Sequence, residues 1–196
     1  ESNYLLFESL VQGTRDYLKK CNFKKVVIGL SGGIDSALVT VLACAAIGKE
    51  NVKCILMPSK WSTQGSIDDS KRILKKLNIN SLTIPIGDLL LNYEDLLHNN
   101  KNKIKKITLE NLQSRIRGTI LMAISNNENS LLLTTGNKSE LSVGYCTLYG
   151  DMNGGLNIIG DIYKTEVFSL SKWIDEEMNP KIREENLLPK FGAIIG

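Results

Sequence analysis

The segment Ser-Gly-Gly-Ile-Asp-Ser at residues 31–36 has the clearest potential for chemistry in this sequence. Adjacent glycines let backbone N–H groups approach an anion, the start of a helix adds partial positive charge, and Ser31 and Ser36 offer hydroxyl groups. No lysine follows the glycines as in a Walker loop, and no Gly-x-Gly-x-x-Gly pattern is present. The segment therefore predicts a polyphosphate-binding loop; its simpler interpretation is a tight strand-to-helix turn capped by a serine.

Apolar patterns on both sides of this loop predict the elements that position it. Strands are predicted over residues 26–30, 52–57, 82–86 and 131–134. Helices are predicted over residues 36–47, from Ser66 onward, over 88–97, from a cap at Thr108 to Ile124, and over 165–178. Nearly continuous apolar strands that alternate with helices are typical of an α/β fold, an open parallel β-sheet flanked by helices on both faces. Such folds bind ligands at the carboxyl ends of their strands.

The composition predicts one ordinary domain, residues 1–196. The chain carries 24 Lys and Arg against 21 Asp and Glu, and 42% of its residues are hydrophobic. A net charge of +3 is too small to favour nucleic acid or an anionic membrane as a partner. The basic cluster at residues 101–106 has no interleaved aromatic residues and predicts a solvated surface.

Cysteine and histidine usage argues against zinc and against a catalytic triad. Cys21, Cys44, Cys54 and Cys146 form no Cys-x-x-Cys pair, and His98 is the single histidine. Isolated cysteines within apolar runs indicate a reducing compartment, and no apolar run is long enough to span a bilayer. We therefore expect a cytoplasmic protein.

Several motifs resemble one enzyme superfamily and one family within it. Residues 31–36 resemble the pyrophosphate-binding loop of the ATP pyrophosphatases. Thr-Thr-Gly-Asn-Lys-Ser-Glu-Leu at 134–141 and Gly-Tyr-Cys-Thr-Leu-Tyr-Gly-Asp at 144–151 resemble the signature of the NAD synthetases. Three further stretches match in the same order, at residues 56–59, 110–117 and 164–165. The resemblance covers residues 4–174 and is closer to the synthetase domain of the glutamine-dependent members than to the short ammonia-dependent ones.

The resemblance implies a Rossmann-like ATP pyrophosphatase fold and the amidation of deamido-NAD to NAD. In that reaction the deamido-NAD carboxylate is adenylated by ATP with release of pyrophosphate, and ammonia then displaces AMP. The resemblance also implies Mg²⁺ and a homodimer, for which the helix at residues 108–124 is the candidate interface. Ammonia is supplied free or by a glutaminase domain, which we expect to be absent from residues 1–196. Two alternatives stay open: another ATP pyrophosphatase, such as a tRNA-modifying adenylating enzyme, and a non-catalytic nucleotide-binding module.

Site residues follow from the resemblance position by position. Asp35 and Lys164 are the predicted catalytic residues, and Asp35 and Glu140 are the predicted Mg²⁺ ligands. The predicted ATP-binding residues are Gly29, Ser31, Gly32, Gly33, Asp35, Ser36, Met57, Thr135 and Lys164. The predicted deamido-NAD-binding residues are Asn111, Arg115, Glu140 and Asp151.

Five of these residues also have a simpler structural interpretation. The simpler interpretation of Asp35 is a helix cap, that of Glu140 a solvated acid at a helix start, and that of Lys164 a solvated lysine. Met57 is then a core side chain, and Asp151 is an aspartate that stabilises a turn.

The spacing of three polar residues on one predicted helix separates their roles. Asn111 and Arg115 share a helix face, whereas Arg117 lies about 200° from Arg115 at 100° per residue and is predicted to form a structural ion pair.

After Trp173 the family usually continues into a Pro-Ser-Ala-Glu-Leu run and an Asp-Ser-Leu-Pro stretch that close over the substrates. Neither run is present in this sequence.

Overall fold

A computed structural model of the chain describes residues 2–98 and 104–178. Five strands form one sheet in which every neighbouring pair is parallel. The strands are β1 (Val26–Gly29), β2 (Val52–Leu56), β3 (Asn80–Thr83), β4 (Leu131–Thr134) and β5 (Leu156–Asn157), in the spatial order β3-β2-β1-β4-β5. The predicted open parallel α/β sheet is confirmed.

Seven α-helices accompany the sheet within the described residues. They are α1 (Ser2–Lys20), α2 (Ile34–Ile47), α3 (Gln64–Leu77), α4 (Gly87–His98), α5 (Lys106–Glu128), α6 (Lys138–Ser142) and α7 (Lys164–Trp173). A 3-10 turn, Lys49–Asn51, precedes β2, and a π-helical turn, Ile174–Met178, follows α7. None of these helices is both long and apolar enough to cross a membrane.

Each central strand buries side chains on both faces of the sheet. In β1, Val26 and Ile28 belong to the core formed with α1, α2, α3 and α7, whereas Val27 belongs to the core formed with α4 and α5. Alternation along the pleat explains this division, because successive side chains point to opposite faces. Because both faces of the sheet are buried against helices, the central strands are continuous runs of apolar residues.

The strand order reverses direction at β1. The chain first builds β2 and β3 on one side of β1, and it then returns to place β4 and β5 on the other side. Val26 pairs with both Val52 of β2 and Leu131 of β4, so the carboxyl ends of β1 and β4 lie side by side. This reversal is the point at which doubly wound sheets open a ligand crevice.

Several predicted boundaries were wrong for physical reasons. The predicted strand at 82–86 is β3, Asn80–Thr83, whose residues are all exposed at a sheet edge and so carry no apolar signal. Helix α5 begins at Lys106 rather than at a Thr108 cap, and its N-cap position is Lys105. Strand β5 lies inside the predicted long loop at 144–160, where two residues are too few to show a period. Residues 101–103 of the 101–106 cluster and residues 179–196 lie outside the described residues.

Burial predicts different reactivities for the cysteines. Cys44 and Cys54 are buried, Cys21 is exposed and Cys146 is half-buried. Burial raises the pKa of the Cys44 thiol and raises that of Cys54 to about 12. At pH 8 the thiolate fraction of Cys54 is therefore about one part in ten thousand.

We expect alkylation of the native protein to label Cys21 first, Cys146 next, and Cys44 and Cys54 only after denaturation, as read by peptide mass spectrometry. Rapid native labelling of Cys54 would contradict this packing.

Candidate active site

The loop at residues 31–36 is held by its own hydroxyl groups. Ser31 Oγ accepts a hydrogen bond from the Gly33 N–H (3.2 Å) and lies 3.1 Å from Ser36 Oγ, which donates to the Gly33 carbonyl oxygen (3.0 Å). Gly33 is the N-cap of α2, and no side chain caps this helix, so the serine cap of the simpler interpretation is absent. The N-terminal N–H groups of α2 therefore have no side-chain acceptor from an N-cap, and Asp35 and Ser36 in its first turn line the crevice.

Gly32 brings this loop against the start of α3. Its φ of +86° lies in the region that favours glycine, and a Cβ atom here would come 2.2 Å from the Ser66 carbonyl oxygen. Both the backbone conformation and the space therefore require glycine at this position.

Two adjoining pockets open at the reversal point of the sheet. The larger has a volume of about 730 Å³ and is lined by Gly29, Met57, Trp61 and Arg117, among others. The smaller, about 360 Å³, is lined by Asp35, Ser36, Glu140 and Tyr145, among others. Ser31, Thr134, Thr135 and Asp151 line both pockets, which therefore meet at the ends of β1 and β4.

The larger pocket has an apolar wall and a half-buried cation. Met57 is buried with Val27 and Ile55, so its side chain is a core residue as well as a pocket residue. Its carbonyl oxygen accepts a hydrogen bond from Arg117 Nε (3.2 Å). Burial lowers the pKa of Arg117. The predicted ion pair of Arg117 was wrong: its guanidinium bonds to the backbone, and no carboxylate of the described residues pairs with it.

The predicted metal-binding residues Asp35 and Glu140 line the smaller pocket, and Lys164, which is not among its lining residues, pairs with Asp35. Asp35 Oδ2 is ion-paired with Lys164 Nζ, and Asp35 Oδ1 accepts a hydrogen bond from Asn137 Nδ2 (3.0 Å). Glu140 Oε2 accepts from the Asn137 backbone N–H (3.1 Å), and the Lys164 N–H donates to Ser139 Oγ (3.0 Å). The side chain of Lys164 is thus paired rather than merely solvated.

These carboxylates fit the binding preferences of Mg²⁺. That ion takes one or two protein carboxylates and completes its shell with substrate phosphates and water. Asp35 and Glu140 line the same pocket and supply two carboxylates from separate segments. Within the described ranges no group of three or more His, Cys, Asp or Glu side chains forms a metal cage of its own. The donor set therefore fits an ion that arrives with a polyphosphate.

The remaining predicted deamido-NAD-binding residues either form hydrogen bonds to the loop that follows α6 or lie within it. Asn111 Oδ1 accepts from Thr147 Oγ1 (3.0 Å), and Arg115 Nε donates to the Leu148 carbonyl oxygen (3.2 Å). Asp151 accepts hydrogen bonds from Ser114 Oγ (2.9 Å) and from the Thr147 N–H (2.8 Å), as expected for a loop-stabilising aspartate. Their predicted role toward deamido-NAD stays a prediction.

Sequence reasoning missed residues whose role depends on distant partners. Asn137 belongs to a motif that was recognised, and its spacing from Glu140 is that of a capping box, yet no local signal connects it to Asp35. Gly118 was also missed: a Cβ atom here would lie 2.7 Å from the Gly150 carbonyl oxygen, so it lets α5 approach the loop.

Several known proteins are similar to this chain. The chain is similar to the glutamine-dependent NAD(+) synthetase of Synechocystis sp., with 54% identity over 173 residues, which is 88% of this chain and 31% of that protein. It therefore spans about a third of the length of this curated relative.

Solved structures agree as well. The chain is similar to the glutamine-dependent NAD+ synthetase of Acinetobacter baumannii in complex with ADP, with a TM-score of 0.88 and 42% identity over 95% of this chain and 36% of that one. It is also similar to the NH3-dependent NAD synthetase of Campylobacter jejuni, with a TM-score of 0.81 and 34% identity over 94% of this chain and 84% of that one. The profile of the NAD synthase family matches residues 6–186, and the chain belongs to that family.

Proposed function

We propose that this chain catalyses the ATP-dependent amidation of deamido-NAD to NAD, with release of AMP and pyrophosphate. The observation that carries the proposal is the loop at residues 31–36, which presents an uncapped helix start beside Asp35 and Lys164 where the strand order reverses. Helix N-termini bind phosphate through backbone N–H groups and the helix dipole. The ADP held by the Acinetobacter baumannii relative also supports a nucleotide here.

ATP extends across both pockets in this proposal. Its phosphates lie on the 31–36 loop at the junction of the pockets, and its adenosine occupies the larger one beside Met57. The volume of about 730 Å³ is in the usual range for sites of nucleotide-sized ligands. Thr135 at the tip of β4 is then close to the phosphates, because it lines both pockets.

Lys164 exchanges its anionic partner when the nucleotide binds. In the structure its ammonium group pairs with Asp35. A triphosphate carries more negative charge than one carboxylate and draws the flexible ammonium toward it. Asp35, released from the pair, and Glu140 are the residues that would hold Mg²⁺, which when bound neutralises charge on the phosphates during bond cleavage.

The reaction needs positioning more than proton transfer. The deamido-NAD carboxylate attacks the α-phosphorus of ATP, the bond to the β-phosphate oxygen breaks, and pyrophosphate leaves. Ammonia then attacks the acyl carbon of the adenylate, loses a proton and displaces AMP. Holding the carboxylate in line with the α-phosphorus is the task of Asn111, Arg115, Glu140 and Asp151 in this proposal.

The source of ammonia and the assembly state belong to the same proposal. The curated relative is named glutamine-dependent and is about three times as long as the matched part, which supports a glutaminase domain as the ammonia source. The Campylobacter jejuni relative is named NH3-dependent, which supports direct use of ammonia by the matched region. We also propose a homo-oligomer; its support is the high exposure of Val143, Tyr145 and Tyr149 on the loop after α6.

The reaction itself is tested by product formation. With ATP, Mg²⁺ and deamido-NAD, we expect AMP and NAD to form in equal amounts when ammonium chloride is present, as measured by chromatography. A parallel reaction with glutamine reports whether a linked glutaminase supplies the nitrogen, and one with nicotinic acid mononucleotide reports the substrate class. ATP binding without AMP formation under all conditions would instead favour the non-catalytic module.

Replacing Asp35 tests the charged pair against a matched surface pair. Asp35→Asn removes the charge that pairs with Lys164, and we expect turnover to fall by about 100-fold or more, in the range found when a preorganised charge contact is lost. Asp161→Asn is the control, because the Asp161 side chain is 95% exposed and also pairs with a lysine, Lys138. Equal losses of turnover in the two variants would contradict a specific role for Asp35.

Gly32→Ala tests the shape of the loop. The added Cβ atom meets the Ser66 carbonyl oxygen and strains a positive φ, at a cost of about 1–3 kcal/mol. We therefore expect ATP affinity to fall by about 5- to 150-fold in calorimetry. Gly65→Ala is the control, because nothing lies within 4 Å of the position that its added methyl group would take, and alanine favours the helix. Unchanged ATP affinity in the folded Gly32→Ala variant would refute binding at this loop.

A further inference from the structure

We propose that Asn137 is a positioning residue that fixes the carboxylate of Asp35 relative to that of Glu140. The inference rests on the proposed function, because it concerns how the chain prepares those two carboxylates for Mg²⁺ and ATP. Asn137 itself is fully buried, with 0% of its surface exposed, so it acts through the two acids rather than on the substrate.

The amide and backbone of Asn137 make three directed hydrogen bonds. Its Oδ1 accepts from the Glu140 N–H (3.0 Å), and its own N–H donates to Glu140 Oε2 (3.1 Å). Its Nδ2 donates to Asp35 Oδ1 (3.0 Å), across 102 positions of sequence. The first two bonds form the capping box of α6, whereas the third contributes nothing to that cap. One side chain therefore connects the first turn of α2 with the first turn of α6.

Only a side chain with both a donor and an acceptor can make this connection. Aspartate at position 137 would keep the cap but would add a buried negative charge beside Asp35 and Glu140. Serine would also keep the cap, since Asn, Asp and Ser are about equally good N-caps, but its hydroxyl group is too short to replace the amide donor. Asparagine is thus selected here by its bond to Asp35 and not by capping alone.

The bond from Asn137 becomes more important when ATP binds. Asp35 has two described partners, Lys164 on Oδ2 and Asn137 on Oδ1. If Lys164 moves to the phosphates, Asn137 is the partner that continues to orient the Asp35 carboxylate. Residues that orient a ligand carboxylate through hydrogen bonds commonly change metal affinity by about 10–100-fold when they are replaced.

The test compares Asn137→Ser and Asn137→Asp in the full chain by calorimetry of ATP binding over a series of Mg²⁺ concentrations, without deamido-NAD. Because both variants keep an N-cap, we expect both to fold, Asn137→Ser with a melting temperature near that of the wild type and Asn137→Asp with a lower one, since it buries an added negative charge. We expect the Mg²⁺ concentration for half-maximal ATP binding to rise by about 10–100-fold in Asn137→Ser and further in Asn137→Asp. ATP affinity without Mg²⁺ should change much less.

The outcomes separate this inference from the proposed function. A folded Asn137→Ser variant with the wild-type Mg²⁺ dependence would show that Asn137 is a helix cap only and would overturn the inference. Wild-type ATP binding that does not depend on Mg²⁺ would overturn it as well. Failure of the wild type to form NAD would instead overturn the proposed function, because the binding measurement uses no turnover. If Asn137→Asp does not fold, Asn137→Ser alone decides.

Discussion

Parallel pairing of β1 with β2 on one side and β4 on the other determines where every candidate residue lies. It brings the loop after β1 next to the tip of β4, although the two segments are about a hundred positions apart. The chain changes direction at β1, so α2 and α5 cover opposite faces and leave a crevice between the strand ends. Without this register, Asp35 and Glu140 would not share a pocket.

Charge balance at this crevice connects the fold to the proposed chemistry. Asp35 is compensated by Lys164 and oriented by Asn137, and Glu140 is held by the start of α6. The site therefore holds a preformed arrangement of acids and a lysine, and in the proposed function a polyphosphate and its cation enter it by exchange of partners. Such preorganisation lowers the cost of ordering charged groups during reaction.

The sequence predicted the sheet and the strand-to-helix loop at residues 31–36 because their signals are local. Apolar runs identified β1, β2 and β4, and the glycines with Asp35 identified the loop. Features that depend on distant partners were not predicted: the bond of Asn137 to Asp35 joins separate elements, and Arg117 binds a carbonyl group instead of the expected carboxylate. Strand β3 was misplaced because an exposed edge strand has no apolar period.

A crystal structure of the chain with Mg²⁺ and α,β-methylene-ATP, in which the bond that should break is replaced, tests the central claim most directly. The account predicts phosphate oxygens on the backbone N–H groups of residues 31–36, adenine beside Met57, and Lys164 Nζ on a phosphate instead of Asp35. A nucleotide bound elsewhere, with the 31–36 loop empty and Lys164 still on Asp35, would contradict it.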